Sequence, residues 1–462
     1  MFNRHLLALA FLLCFPFHNA VPQALTISDN GRYIEKEDGT PFFWLGDTCW
    51  ELLHRATQED ADWYLENRAA KGFTVIQTVI IAGLNTSENI DGLSVPNAYG
   101  ELPLINRNPA QPNEQYFEHI DYIVDKANSL GMYVGLLPSW GTHVVGKGSV
   151  FTPEKASQYG RFLGKRYKDK SVVWILGGDN IPKNKQHFAL FRSIARGLEE
   201  GHQNSQLMTY HPWGENTSAN FFHQDEWLDF NMFQSGHARP DHRVYELVQR
   251  DYERTPPKPV LDGEPNYEDH PINWEEASGW FDEFDSRRAG YWAMLAGACG
   301  HTYGHGSIWQ LWQKGREPMA SPRTWWTEAL DHPGAFQAGY MRDLFESRPW
   351  QQLAPDQKII IEGPNAAGKA IVAATAQDSS FLMAYAPYGS NFRLSLKKIN
   401  ADSVRAWWFN PRDRTTIRMG KIKKADDRVF DPPADERRGN DWVLVLDDAR
   451  RNHPTPGQPR EN

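Results

Sequence analysis

Between residues 42 and 303, short apolar runs ending in Gly or polar residues alternate with longer segments of helical spacing, eight times over. Few folds accept this pattern. A strand buried on both faces and followed by a crossover helix is the repeating unit of a parallel sheet. The runs predict strands over 42–46, 74–80, 132–137, 172–176, 207–210, 230–233, 259–262 and 301–303. Helices are expected over 58–71, behind an N-cap at Thr57, and over 114–130, 153–167, 185–200, 241–253 and 281–298. Only the stretch between Tyr210 and Phe230 lacks a clear helix. Eight strands with crossover-length connections favour a closed ring over an open doubly wound sheet. A dinucleotide-binding sheet would also carry a Gly-rich turn after its first strand, and none is there.

The chain around this ring differs in character. From Leu25 to Trp44, the turns Asp29-Asn30-Gly31 and Asp38-Gly39 mark a small leading hairpin. A last helix over 335–347 stops at Arg348-Pro349. Short strands with turn residues between them then follow at 358–362, 370–374, 381–385, 392–396, 404–409, 417–419 and 442–446. The fold class is therefore α/β: a (β/α)8 TIM barrel over 25–349, followed by a C-terminal all-β sandwich domain over 350–448. The tail 449–462, rich in Arg, Pro and Asn, is expected to be disordered.

The N-terminus carries Arg4 and then an unbroken apolar run over 6–17, the length of a signal-peptide core and too short to span a bilayer. Residues 1–24 are expected to be a signal peptide that exports the chain to the periplasm or the extracellular space. No later run approaches the ~20 apolar residues of a membrane span. Cys49 and Cys299 are the only cysteines beyond this leader, so no disulfide framework or zinc-type spacing is present. With 49 basic against 58 acidic side chains, a net charge of −9 and no basic tract, nucleic acid is not expected as a partner.

In a (β/α)8 barrel the chemistry sits where the strands end at their C-terminal face. Three carboxylates follow predicted strands directly: Asp47 after the first, Asp179 after the fourth and Glu264 after the seventh. The tips of strands four and seven face each other across the mouth of the ring. Two opposed carboxyls are what glycoside hydrolysis needs, one to protonate the leaving oxygen and one to attack the anomeric carbon or activate water. Asp179 and Glu264 are the catalytic candidates, with no metal and no cofactor expected. Other polar groups at strand ends could bind substrate: Gln77, His143, Asn180, His211, Gln234, Tyr267, His301 and Tyr303, together with Asp47. Trp50, Trp140, Trp213, Trp309 and Trp312 offer faces on which sugar rings could stack. No His-Glu-x-x-His or Gly-x-Ser-x-Gly occurs. Gly363-Pro-Asn-Ala-Ala-Gly368-Lys369 has phosphate-loop spacing, but Ala370 replaces the hydroxyl residue and a strand follows, so a hairpin turn is expected.

At these residues the chain resembles the apiosidase-like glycoside hydrolase family, in which a (β/α)8 catalytic domain precedes a β-domain labelled as collagen-binding. The matching stretches are Asp38-Gly-Thr-Pro-Phe-Phe-Trp-Leu-Gly-Asp47, Gly72-Phe-Thr-Val-Ile-Gln77, Trp174-Ile-Leu-Gly-Gly-Asp179, Gly263-Glu264 and Gly300-His-Thr-Tyr-Gly304. In the second domain, Trp407-Trp-Phe-Asn-Pro-Arg412 and Phe430-Asp-Pro-Pro433 match as well. The resemblance implies Asp179 as acid/base, Glu264 as nucleophile and a pectic carbohydrate as substrate, with apiose as the family's sugar. Here Asn180 follows the acid/base residue, whereas related barrel hydrolases place an Asn before it. The expectation is an exported, retaining, exo-acting glycoside hydrolase that takes an oligosaccharide or polysaccharide. The alternatives are an endo-acting glycanase and a non-catalytic carbohydrate- or matrix-binding protein. Of the adjacent Trp407 and Trp408, one should face into the second domain and the other out, against the barrel.

Overall fold

A computed structural model describes residues 24–83 and 91–458. The predicted signal peptide lies outside them. An antiparallel sheet of β1 (Leu25–Ile27), β2 (Ile34–Lys36) and β3 (Pro41–Phe42) opens the fold. The eight predicted parallel strands follow as β4 (Trp44–Thr48), β5 (Val75–Val79), β6 (Tyr133–Leu137), β7 (Val172–Gly177), β8 (Met208–His211), β9 (Asn231–Phe233), β10 (Val260–Asp262) and β11 (Gly300–Tyr303). Their hydrogen-bonded order is β8-β7-β6-β5-β4-β11-β10-β9. Between β8 and β9 the ring closes through single bonds instead of a ladder: the Asp229 amide donates to the Met208 carbonyl at 2.9 Å, and Thr209 Oγ1 to the Phe230 carbonyl at 2.7 Å.

Alternation along each strand sorts side chains between the interior of the ring and the helix layer. Trp44, Val75, Val79, Val173, Ile175, Met232 and Leu261 fill the interior, and the leading sheet adds Leu25, Ile34 and Phe42 to the same cluster. Leu45, Ile76, Trp174, Leu176 and Tyr210 instead pack against the helices. Those helices begin where the sequence signals them: Gln58–Ala70 starts at a capping box between Thr57 and Asp60, and Pro153–Tyr167 at the Thr152 side chain. The stretch without a predicted helix holds one turn, Ala219–Phe222.

The C-terminal region is a two-sheet sandwich. One sheet has six strands in the order Leu353–Pro355, Val372–Ala376, Phe381–Ala386, Trp442–Asp448, Ser403–Phe409, Thr416–Lys423, and the other pairs Ile360–Glu362, Phe392–Ser395 and Asp427–Phe430. Residues 363–369 cross from the small sheet to the large one, so this segment is a turn between sheets where a hairpin was expected. Trp408 lies in the sandwich interior, while Trp407 joins the cluster shared with Tyr291 and Phe345 of the barrel. Residues 449–458, expected to lack order, run along the sandwich, with Pro456 and Gly457 buried. Cys49 and Cys299 are free and buried, and among the described residues no helix is long and apolar enough to cross a membrane.

Candidate active site

A cavity of about 670 Å³ opens at the C-terminal ends of the barrel strands. Its walls include Trp140 after β6, Asp179 after β7, Trp213 after β8, Gln234 and His237 after β9, and Trp274 and Trp309 from the later loops. Asp179 is reached through Gly177 and Gly178, both with positive φ (101° and 80°), and itself has φ 47°, a left-handed conformation uncommon outside glycine. At Gly177 a Cβ would lie 2.2 Å from the His211 carbonyl oxygen, so only glycine lets the two strand tips approach.

Asp179 lines the cavity, and just beneath the lining it converges with His211 and Glu264, one ligand-type atom of each lying within 4.8 Å of the others. Glu264 is the deeper carboxyl, its side chain 5% exposed, against 19% for Asp179. His237 Nε2 donates to Glu264 Oε1 at 2.9 Å, and His211 Nε2 approaches Oε2 at 3.0 Å. Burial acts to raise the pKa of Glu264, but the two imidazoles outweigh it and hold the carboxyl far below its ordinary range. Asp179 moves the other way. Burial first, and the Glu264 carboxylate second, push it up to about 8 against the opposing pull of His211 and Gln234. His211 is displaced upward: burial works against its charge, and Glu264, Asp179 and Asp262 favour it. One carboxyl is thus kept ionised and the other protonated at neutral pH, the division of labour that acid-assisted displacement at an acetal requires.

The other predicted residues fall into three groups. Trp140, Trp213, Gln234 and Trp309 line the cavity. Trp50, Gln77, His211 and Tyr267 lie beneath it: Trp50 packs edge-on against Trp140 and His211, Gln77 Nε2 donates to the Gly263 carbonyl at 2.9 Å, and the Tyr267 ring lies 4.5 Å from that of His237. The third group stands away from the cavity. Asp47 points outward from β4, where Arg68 Nε and the Tyr64 hydroxyl each donate to its Oδ2 at 2.6 Å. His301 and Tyr303 share that outward parity on the neighbouring strand, and the Tyr303 hydroxyl donates to Glu268 at 2.6 Å. His143 is bonded to the Ala82 carbonyl at 2.7 Å, and Trp312 stacks on Trp325 at 4.5 Å. Asn180 does not line the cavity, and its backbone carbonyl accepts the Tyr210 hydroxyl at 2.8 Å.

Sequence reasoning missed His237, Asn273, Trp274 and Glu215, all of which line the cavity. His237 lies four residues beyond β9, past the positive-φ Gly236, whose amide donates to the Glu264 carbonyl at 2.9 Å. A search confined to the residues next to each strand end passes over it.

Two groups among the described residues bring three metal-ligand atoms together. The first is Asp179, His211 and Glu264 itself. In the second, Asp269, His305 and His332, the inward atoms are already engaged. The Ser307 amide donates to His305 Nδ1 at 3.1 Å, which leaves His305 Nε2–H to donate to His332 Nδ1 at 2.9 Å, while Arg323 pairs with Asp269.

Residues 28–352 match the family described as "Apiosidase-like, catalytic domain", and residues 354–447 the one described as "Putative collagen-binding domain of a collagenase". A solved structure titled "Glycoside hydrolase" is 31% identical, with a TM-score of 0.86 over 95% of this chain and 99% of that one. A glycoside hydrolase family 5 structure from Bacteroides vulgatus is 30% identical, with a TM-score of 0.87 over 96% of each chain. No curated protein matches the chain. Barrel, cavity and matched residues together make this chain a member of the apiosidase-like glycoside hydrolases.

Proposed function

We propose that the protein is an exported, retaining, exo-acting glycosidase for pectic glycans of the plant cell wall, with Glu264 as nucleophile and Asp179 as acid/base. What carries the catalytic assignment is the opposed displacement of two carboxyls that approach within 4.8 Å. An approach this close of one oxygen from each carboxyl favours the ~5–5.5 Å separation of retaining enzymes over the ~6.5 Å or more of inverting ones. Glu264 attacks the anomeric carbon while the bond to the leaving oxygen breaks and takes the Asp179 proton. Asp179 then removes a proton from water, whose oxygen displaces Glu264 from the sugar.

Exo action is supported by a cavity of about 670 Å³ with Trp140, Trp213, Trp274 and Trp309 in its walls, a volume that suits a few sugar rings better than a long chain. The pectic substrate follows from family membership alone, and export from the apolar run over 6–17. Incubating the mature chain with pectic and hemicellulosic oligosaccharides and identifying the products tests all but export. A released monosaccharide with retained anomeric configuration is expected. Oligosaccharide products would replace exo by endo action, and inverted configuration would remove Glu264 as nucleophile. N-terminal sequencing of protein from the cell exterior tests export, with the mature chain expected to begin near residue 25.

A further inference from the structure

The β-domain differs in charge from the protein that carries it. Residues 354–447 hold 15 Lys and Arg against 12 Asp and Glu, a balance of +3 in a chain of −9. Part of this excess is concentrated by strand register. Ser403–Phe409 and Thr416–Lys423 pair antiparallel with Arg405 opposite Lys421, Ser403 opposite Lys423 and, past a bulge, Trp407 opposite Arg418. Val404 and Ile422, one residue on, turn into the sandwich interior, so Arg405, Arg418, Lys421 and Lys423 share the outer face. Arg405 and Lys421 stand about 5 Å apart across the ladder and Lys421 and Lys423 about 7 Å apart along it, with Arg418 three residues before Lys421, past the bulge.

Among the described residues none of the four has a carboxylate partner. Arg418 lies over the Trp407 ring at 5.7 Å. Asp447, opposite Arg405 on the other side, is committed to the buried Arg348 at 2.8 Å. Lysines on an edge strand are a common guard against strand addition, which accounts for Lys421 and Lys423. It does not account for Arg405, on an inner strand and directly opposite Lys421, because like charges in that position destabilise a sheet.

We propose that this face binds an acidic polysaccharide, a chain bearing a carboxylate on successive sugars, and so holds the barrel on its substrate polymer. The repeated cations match a repeated anion, and among polyanions a glycan is the one a glycoside hydrolase must approach. The inference rests on the family membership and not on the roles of Asp179 and Glu264.

The test is mobility of the full chain in native gels containing polygalacturonate, the fully methyl-esterified polymer, a neutral xylan or dextran sulfate, with sedimentation on phosphatidylserine vesicles alongside. Polygalacturonate alone should retard the protein strongly, the effect should fade with added salt, and Glu264→Gln should be retarded like the parent. The triple variant Arg418→Gln, Lys421→Gln, Lys423→Gln, all exposed positions, should bind roughly tenfold more weakly, the scale of a few solvent-exposed charge pairs, with an unchanged unfolding midpoint. Equal retardation of the triple variant, equal binding of the esterified polymer, or binding to dextran sulfate or vesicles without polygalacturonate overturns the proposal.

Discussion

Asp179 and Glu264 are chemically similar groups made different by what surrounds them. Asp179, pushed up to about 8, must keep its proton to act as acid, so kcat/KM should hold through neutrality and fall as the pH rises through about 8. A profile without an alkaline limb in that region would show that another group donates the proton. Two imidazoles keep Glu264 ionised, and His237 can be removed while His211 stays. His237→Ala should therefore raise the pKa of Glu264, move the acidic limb upward and lower kcat, with KM little changed. An acidic limb that stays in place would make His237 a packing residue only. That these two carboxyls converge at the mouth of the barrel was legible in the sequence, because each stands just beyond the C-terminal end of a buried strand. Asp47, His301 and Tyr303 satisfy the same rule by position but fail it by parity: one residue along a strand decides between cavity and helix layer, and no residue type announces which. His237 went unread for the opposite reason, since a loop turned by Gly236 brings it back to the site from four residues away.

Elements set these positions, and the glycines just before Asp179 show how closely. Gly177→Ala would combine a φ of 101° with a Cβ 2.2 Å from the His211 carbonyl. The tips of β7 and β8 must then separate, carrying Asp179 and His211 apart. A displacement of about 1 Å at reacting groups costs roughly 10²-fold in rate, so kcat should fall by that order while circular dichroism is preserved. Thr57→Ala should do the reverse. Loss of its capping box weakens Gln58–Ala70 by about 1 kcal/mol, read as a lower urea midpoint, and leaves kcat unchanged because that helix lines no part of the cavity. The barrel strands were readable because burial on both faces turns each into an apolar run. The elements missed lack that signature: Leu353–Pro355 contains a proline on a sheet edge, Asp427–Phe430 is mostly exposed, and the helices Leu52–Arg55 and Gly141–Val145 are too short to show a period.

Across the whole molecule, barrel and sandwich share one apolar cluster, and buried ions cross between them. Arg287, on the helix Glu283–Leu295, meets Asp441 through two hydrogen bonds of 2.8 and 2.7 Å, and the Tyr385 hydroxyl donates to the same carboxylate at 2.9 Å. Arg348 meets Asp447 in the same manner, and the rings of Tyr291 and Tyr385 stack at 5.0 Å. Such a pair adds little over an apolar contact, but removing one partner strands the other charge away from water, at about 3–5 kcal/mol. Asp441→Ala should therefore lower the urea midpoint of the barrel signal and the sandwich signal together. Transitions that separate, with the barrel unmoved, would make the two parts independent folding units. Ending the chain at residue 352 strands Arg287 and Arg348 at once and uncovers the aromatic face around Tyr291 and Phe345, so the barrel alone should aggregate even though every residue lining the cavity is present in it.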